Sequence, residues 1–117
     1  MVNQMSAGPR AIFGALVLLG LSAPGVRAAE DPVFRIEFKD GAMSPREIEV
    51  PANTRIKLDL VNTGETPAEF ESTELRKEKV IAPKSSGSLI IRTLAPGRYE
   101  FFDDFHPGSP PAVLIAK

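Results

Sequence analysis

The stretch YEFFDDFHPG, residues 99–108, holds the single histidine of a chain that has no cysteine. His106 stands three residues after Asp103, at the end of an aromatic-rich segment. An imidazole and a carboxylate at that spacing offer one borderline nitrogen and one hard oxygen. Such a pair suits Fe(II), Fe(III), Mn(II), Cu(II) or Zn(II) and disfavours Cu(I), which prefers soft sulfur. Asp103 and Asp104 are adjacent, and neighbouring residues of a strand project to opposite faces, so only one of them joins His106. Glu69, in PAEFES, is a further carboxylate candidate, and Met43, in DGAMSP, a weak thioether candidate for copper. Each donor also has a plainer use. His106 precedes Pro107-Gly108 and would cap a loop. Glu69 sits among Glu65, Glu71 and Glu74, as in a solvated acidic row, and Met43 would pack in a core. Hydrolysis finds no support, because the chain shows no Ser-x-Gly elbow of the hydrolase type, Gly-x-Ser-x-Gly, no glycine-rich phosphate cradle and no nucleophile–base arrangement.

The elements that must position these residues read as strands. VFRIEFKD places Val33, Phe34, Ile36 and Phe38 at mostly alternating positions and ends at Asp40-Gly41. REIEV follows, with Ile48 and Val50 inward. TRIKLDLVN has the cleanest period of two, with Ile56, Leu58 and Leu60 opposite Arg55, Lys57 and Asp59, and closes on the turn Asn62-Thr63-Gly64. A short strand is expected around Phe70. In STELRKEKV, Ser72 or Thr73 would N-cap one helical turn before a strand begins at Val80-Ile81. APKSSG is expected to turn, SLIIRTL and RYEFFDDFH to be strands, PGSPP a loop and AVLIAK the closing strand. Phe70, Tyr99, Phe101, Phe102 and Phe105 are expected to form core and site wall. Seven to eight short strands with turn signals between them predict an all-β sandwich or barrel.

The first 28 residues read differently. Arg10, the apolar run AIFGALVLLGLSA, Pro24-Gly25 and the small residues around Ala28 have the order of a secretory signal peptide, and the run falls short of a bilayer span. Residues 1–28 are therefore expected to be cleaved, leaving a domain over 29–117. Losing Arg10 and Arg27 takes the 14 basic residues to 12 against 15 acidic ones, a net charge of −3. That disfavours nucleic acid and anionic membrane surfaces as partners. Without disulfides, the exported domain must fold on its apolar core or with the help of a bound metal or partner.

Three segments together resemble a cupredoxin, the Greek-key β-sandwich of blue-copper proteins. They are IEVPANTRIKLDLVNTG, LAPGRYEFF and the terminal AVLIAK, in that order across residues 33–117. The family pattern puts a first histidine ligand at Ala68 or Glu69, a cysteine at Asp103, a second histidine at His106 and a methionine in PGSPP. Only His106 matches. Without the thiolate, blue-copper chemistry is not expected. PAEFES, EKVIAP and FFDDFHP resemble the EfeO-type cupredoxin domain and the small periplasmic cupredoxin-like proteins of ferrous iron uptake. That resemblance implies a periplasmic protein that binds iron and/or copper at Glu69, Asp103 and His106, with Met43 as an additional weak copper ligand. It also implies help with Fe(II) oxidation. The implied partners are an inner-membrane iron permease, a second periplasmic iron-binding protein and a ferredoxin-like membrane electron acceptor. Two other readings stand beside it: a metal-free interaction module with a degenerate site, and a periplasmic copper-binding protein.

Overall fold

The computed structural model describes residues 30–117, so the expected signal peptide over 1–28 lies outside the described residues. The described part is all-β, as the alternating pattern predicts. It has nine strands: β1 (Val33–Lys39), β2 (Ala42–Ser44), β3 (Glu47–Val50), β4 (Ile56–Asn62), β5 (Ala68–Ser72), β6 (Lys77–Ile81), β7 (Ser85–Ile91), β8 (Gly97–Asp103) and β9 (Ala112–Ala116). One sheet runs β2-β1-β4-β7 and the other β3-β9-β8-β5-β6. No helix among the described residues is long and apolar enough to cross a membrane.

The differences from the sequence reading are local, and each has a backbone cause. The sequence reading ends its first strand at Asp40-Gly41 and places no strand at β2. Asp40 (φ 46°) and Gly41 (φ 97°) form a two-residue hairpin turn that sets Lys39 opposite Ala42. Asp-Gly favours that turn because both of its central positions need positive φ. Ser72 does cap, as expected, but it caps a turn and not a helix. Its Oγ accepts the Leu75 N–H at 3.2 Å and donates to the Glu100 carbonyl at 2.7 Å. Arg76, at φ 56°, then reverses the chain, and β6 starts at Lys77, earlier than expected. β7 likewise starts at Ser85, inside the expected turn, because Lys84 at φ 55° completes the reversal first.

The core forms where the inward faces of the two sheets meet. In β4, Ile56, Leu58 and Leu60 are buried on one face, as read from the sequence. Ile36 and Phe38 join them from β1, Phe70 from β5 and Phe101 from β8. Phe70 and Phe101 stack with ring centroids 4.9 Å apart. Such a pair adds about 1 kcal/mol beyond the area it buries. Of the other aromatic residues, Tyr99 and Phe102 are half-buried and Phe105 is exposed.

Two registers fix the end of the sandwich that carries the site. β1 and β4 run parallel with Phe38 level with Asn62, so the Asp40-Gly41 turn meets the loop after β4. In the other sheet Phe70 is level with Asp103, so β5 begins where β8 ends.

Candidate metal centre

Three loops converge at that end, and a buried side chain organises each of two of them. Asn62 is 1% exposed and fully engaged. Its Oδ1 accepts the Gly64 N–H at 2.9 Å, and its Nδ2 donates to the carbonyls of Thr66 (2.9 Å) and Ile81 (3.0 Å). A buried amide left without these partners would cost about 1–3 kcal/mol, so the Asn-Thr-Gly turn is held in one conformation. Asp103 does the same for the loop after β8. Its Oδ1 accepts the N–H groups of Glu69 (2.9 Å) and Phe105 (3.1 Å). The His106 N–H donates to the Asp103 carbonyl at 3.1 Å, which folds the ring back over the carboxylate.

The centre of the site is the contact between His106 Nδ1 and Asp103 Oδ2, at 2.7 Å. The Asp103 side chain is 0% exposed and that of His106 24%. On its other side the imidazole meets Thr66, with Nε2 3.0 Å from Oγ1. The Thr66 hydroxyl donates to Asp40 Oδ1 at 2.9 Å, and the same oxygen accepts the N–H groups of Glu65 (2.9 Å) and Thr66 (3.0 Å). The Asp40 carboxyl is held below its ordinary value, first by the Thr66 hydroxyl, against some desolvation, and then by the two N–H groups and the nearby His106. Carboxylate, imidazole and hydroxyl line up as in a nucleophilic triad, but the polarity is reversed. The Thr66 proton points at Asp40, so the hydroxyl offers a lone pair to the imidazole and has no proton to give it.

Of the four donors singled out in the sequence, the structure brings two together. Asp103 and His106 meet. Glu69 does not join them through its side chain: Ala68 and Phe70 point inward, so Glu69 points out, and only its N–H reaches Asp103. Its carboxylate lies with those of Glu71 and Asp104, one oxygen from each lying within 4.8 Å of the others. Burial, Glu78, Glu71 and Asp104 raise the Glu69 carboxyl, and burial, Asp104 and Glu78 raise that of Glu71. Met43 is 6% exposed and packs in the core. Asp40 and Thr66 were not singled out. Their only signals were the Asp-Gly pair and the position of Thr66 in the loop after Asn62-Thr63-Gly64, and neither signal points to His106.

The donor set decides which metal fits. Blue copper does not: the chain has no thiolate, Ala68 and Glu69 stand where the family pattern puts its first histidine, and the PGSPP loop has no thioether. A hard or borderline cation fits better. With bonds of about 2.1 Å to a nitrogen and an oxygen, ligands at right angles stand about 3 Å apart. The 2.7 Å contact would open only slightly for an ion to take the place of the Nδ1 proton.

The family profile described as cupredoxin-like domain matches residues 10–116. An uncharacterized protein of Rickettsia prowazekii (strain Madrid E) is 40% identical over 108 residues, which cover 91% of this chain and 86% of that protein. Dithionite-reduced auracyanin from Roseiflexus castenholzii superposes with a TM-score of 0.62 at 17% identity, over 76% of this chain and 99% of its own. The metal-binding domain of the Streptococcus pneumoniae D39 Cu(I)-exporting P-type ATPase CopA, solved with Cu(I), gives 0.61 at 14% identity, over 77% and 91%. At such identities the two structures speak for the fold alone.

Proposed function

Starting from a chain that belongs to the cupredoxin-like domain family, we propose that it is a periplasmic metal-handling protein that carries ferrous iron as cargo on the Asp103–His106 pair. The observation that carries this reading is the buried carboxylate facing an imidazole nitrogen at 2.7 Å, in the loop where the family's donors belong. A carboxylate–imidazole pair prefers hard and borderline ions. Two protein donors also leave coordination positions open to water or to a partner's side chains. That is the arrangement of a protein that hands its ion on: towards an inner-membrane permease in our reading, with a second periplasmic iron-binding protein supplying it. The Asp103 oxygen stabilises Fe(III) more than Fe(II) and so favours loss of an electron, which goes to the ferredoxin-like membrane acceptor.

Anaerobic calorimetric titration with Fe(II), Mn(II), Zn(II) and Cu(II) tests this reading, using the protein beside Asp103→Asn and His106→Ala. Micromolar binding by the wild type, lost in both variants while each keeps a cooperative melting transition, is the expected result. No binding of any of the four ions would overturn it.

A second reading has its own observation. Every polar atom of the Asp103 and His106 side chains already has a protein partner, and Phe105, next to them, is 45% exposed. A closed polar network beside an exposed aromatic ring suits a docking module that keeps the fold and leaves the metal out. In that case His106→Ala would weaken the partner complex no more than its effect on stability explains.

A further inference from the structure

The pair at 2.7 Å is the inner half of a longer chain of contacts, and the outer half has a direction. Thr66 has one hydroxyl proton. Asp40 Oδ1, which already takes two N–H groups, accepts that proton at 2.9 Å. The Thr66 oxygen therefore presents a lone pair to His106 Nε2 at 3.0 Å, and the proton of that contact must sit on Nε2. Nδ1, on the opposite side of the ring, faces Asp103 Oδ2.

The backbone around Asp40 is built to hold this arrangement. Asp40 adopts φ 46°, a left-handed conformation that aspartate tolerates better than most residues. A Cβ on Gly64 would fall 2.7 Å from both the backbone nitrogen and Oδ1 of Asp40, so only glycine lets the two turns close on each other. A Cβ on Gly41, at φ +97°, would lie 3.4 Å from the His106 ring and 3.1 Å from Ser109 Oγ. Both glycines thus bring the hairpin turn against the loop that carries the imidazole.

We infer that Asp40, acting through the Thr66 hydroxyl, is the positioning residue that keeps a proton on His106 Nε2, so that Nδ1, whose proton Asp103 Oδ2 accepts in the metal-free protein, is the nitrogen that takes the cation in that proton's place. The inference deepens the metal-handling reading and rests on it. Histidines that ligate metals commonly give their other ring N–H to a carboxylate or carbonyl, which orients the ring and raises the basicity of the ligating nitrogen. Here the carboxylate acts one hydroxyl away, from a turn 66 residues distant in sequence.

The test uses Thr66→Val, which keeps the shape and removes the hydroxyl, and Thr66→Ser, which restores it. Two readouts are taken on 15N-labelled protein. In the metal-free state, the imidazole spectrum of wild type and Thr66→Ser should show a slowly exchanging Nε2–H, and Thr66→Val should lose it. In titrations with Zn(II) and Fe(II), Thr66→Val and Asp40→Ala should weaken binding about 10–100-fold, with Thr66→Ser close to wild type. A Thr66→Val protein that keeps both the Nε2–H signal and the wild-type affinity overturns the inference. The two readings fail separately. Metal bound without the Nε2–H signature sinks the positioning role and spares the metal-handling reading. The signature without any bound metal sinks the metal-handling reading and leaves Asp40 and Thr66 as the residues that set the ring's proton.

Discussion

Strands β5 and β8 carry carboxylates on both of their faces, and the two faces treat them differently. On the inner face Asp103 is buried, and its four hydrogen-bonding contacts are complete: two N–H groups on Oδ1, the imidazole on Oδ2 and the His106 N–H on its own carbonyl. On the outer face Glu69, Glu71 and Asp104 crowd together, and none of them forms an ion pair among the described residues. Burial explains the contrast. A charge removed from water must find its partners within the fold, whereas one at the surface can leave them to solvent. The inner carboxylate is therefore part of folding, and the outer ones are a feature of the surface.

The comparison breaks most visibly at Asp103. Asp103→Ala leaves the N–H groups of Glu69 and Phe105 without an acceptor and His106 Nδ1 without its partner. Removing one partner of a buried pair costs about 3–5 kcal/mol, so urea unfolding should show a loss near the lower end, given the partly exposed imidazole. Glu69→Ala, one strand away on the other face, should change stability by no more than about 0.5 kcal/mol. Equal costs for the two would mean that Asp103 does not organise its loop.

A smaller effect is expected at Gly64, which joins the Asp40 turn to the inner face. The added Cβ of Gly64→Ala would meet backbone, at the Asp40 nitrogen, and a side chain that is itself fixed by three donors. Overpacking of that kind costs about 1–3 kcal/mol. Thermal melts should place this variant between Asp103→Ala and wild type, and His106 should become more accessible to diethyl pyrocarbonate as Thr66 and Asp40 are pushed away.

What could be read in the sequence follows from how far apart the interacting residues lie. The alternation in β4 is a local pattern, and it gave the inward face of Ile56, Leu58 and Leu60 correctly. The Asp103–His106 contact spans three residues and was expected from that spacing and from the family's ligand positions, although the strand read as running to His106 ends at Asp103. Asp40 and Thr66 reach His106 across 66 and 40 residues, through the level ends of the parallel pair β1–β4 and the packing of one sheet on the other. No local pattern encodes that meeting. Glu69 teaches a different lesson. Its neighbours Ala68 and Phe70 already marked it as outward by alternation, but its match to a family ligand position placed it at the metal. Where a motif position and the strand period disagree, the period decides where the side chain points, because reversing it would bury a carboxylate and expose Phe70.

The smallest effect tests the outer face alone. The Glu69 and Glu71 carboxyls are raised in the folded protein, by burial first and then by neighbouring acids. A raised carboxyl binds its proton more tightly in the native state than in the unfolded chain, so stability falls as pH rises through the interval between the two values. The contribution is complete below the ordinary carboxylate range and lost above the raised value. Glu71→Gln removes one participant. It should melt slightly higher than wild type at pH 7, with the gap closing as pH drops below the carboxylate range and shrinking in high salt. Asp103→Asn carries no such repulsion and should melt lower than wild type at pH 7. A Glu71→Gln protein that melts lower than wild type at pH 7 would mean that the outer carboxylates are held by attractive contacts, and that the two faces of β5 and β8 are alike after all.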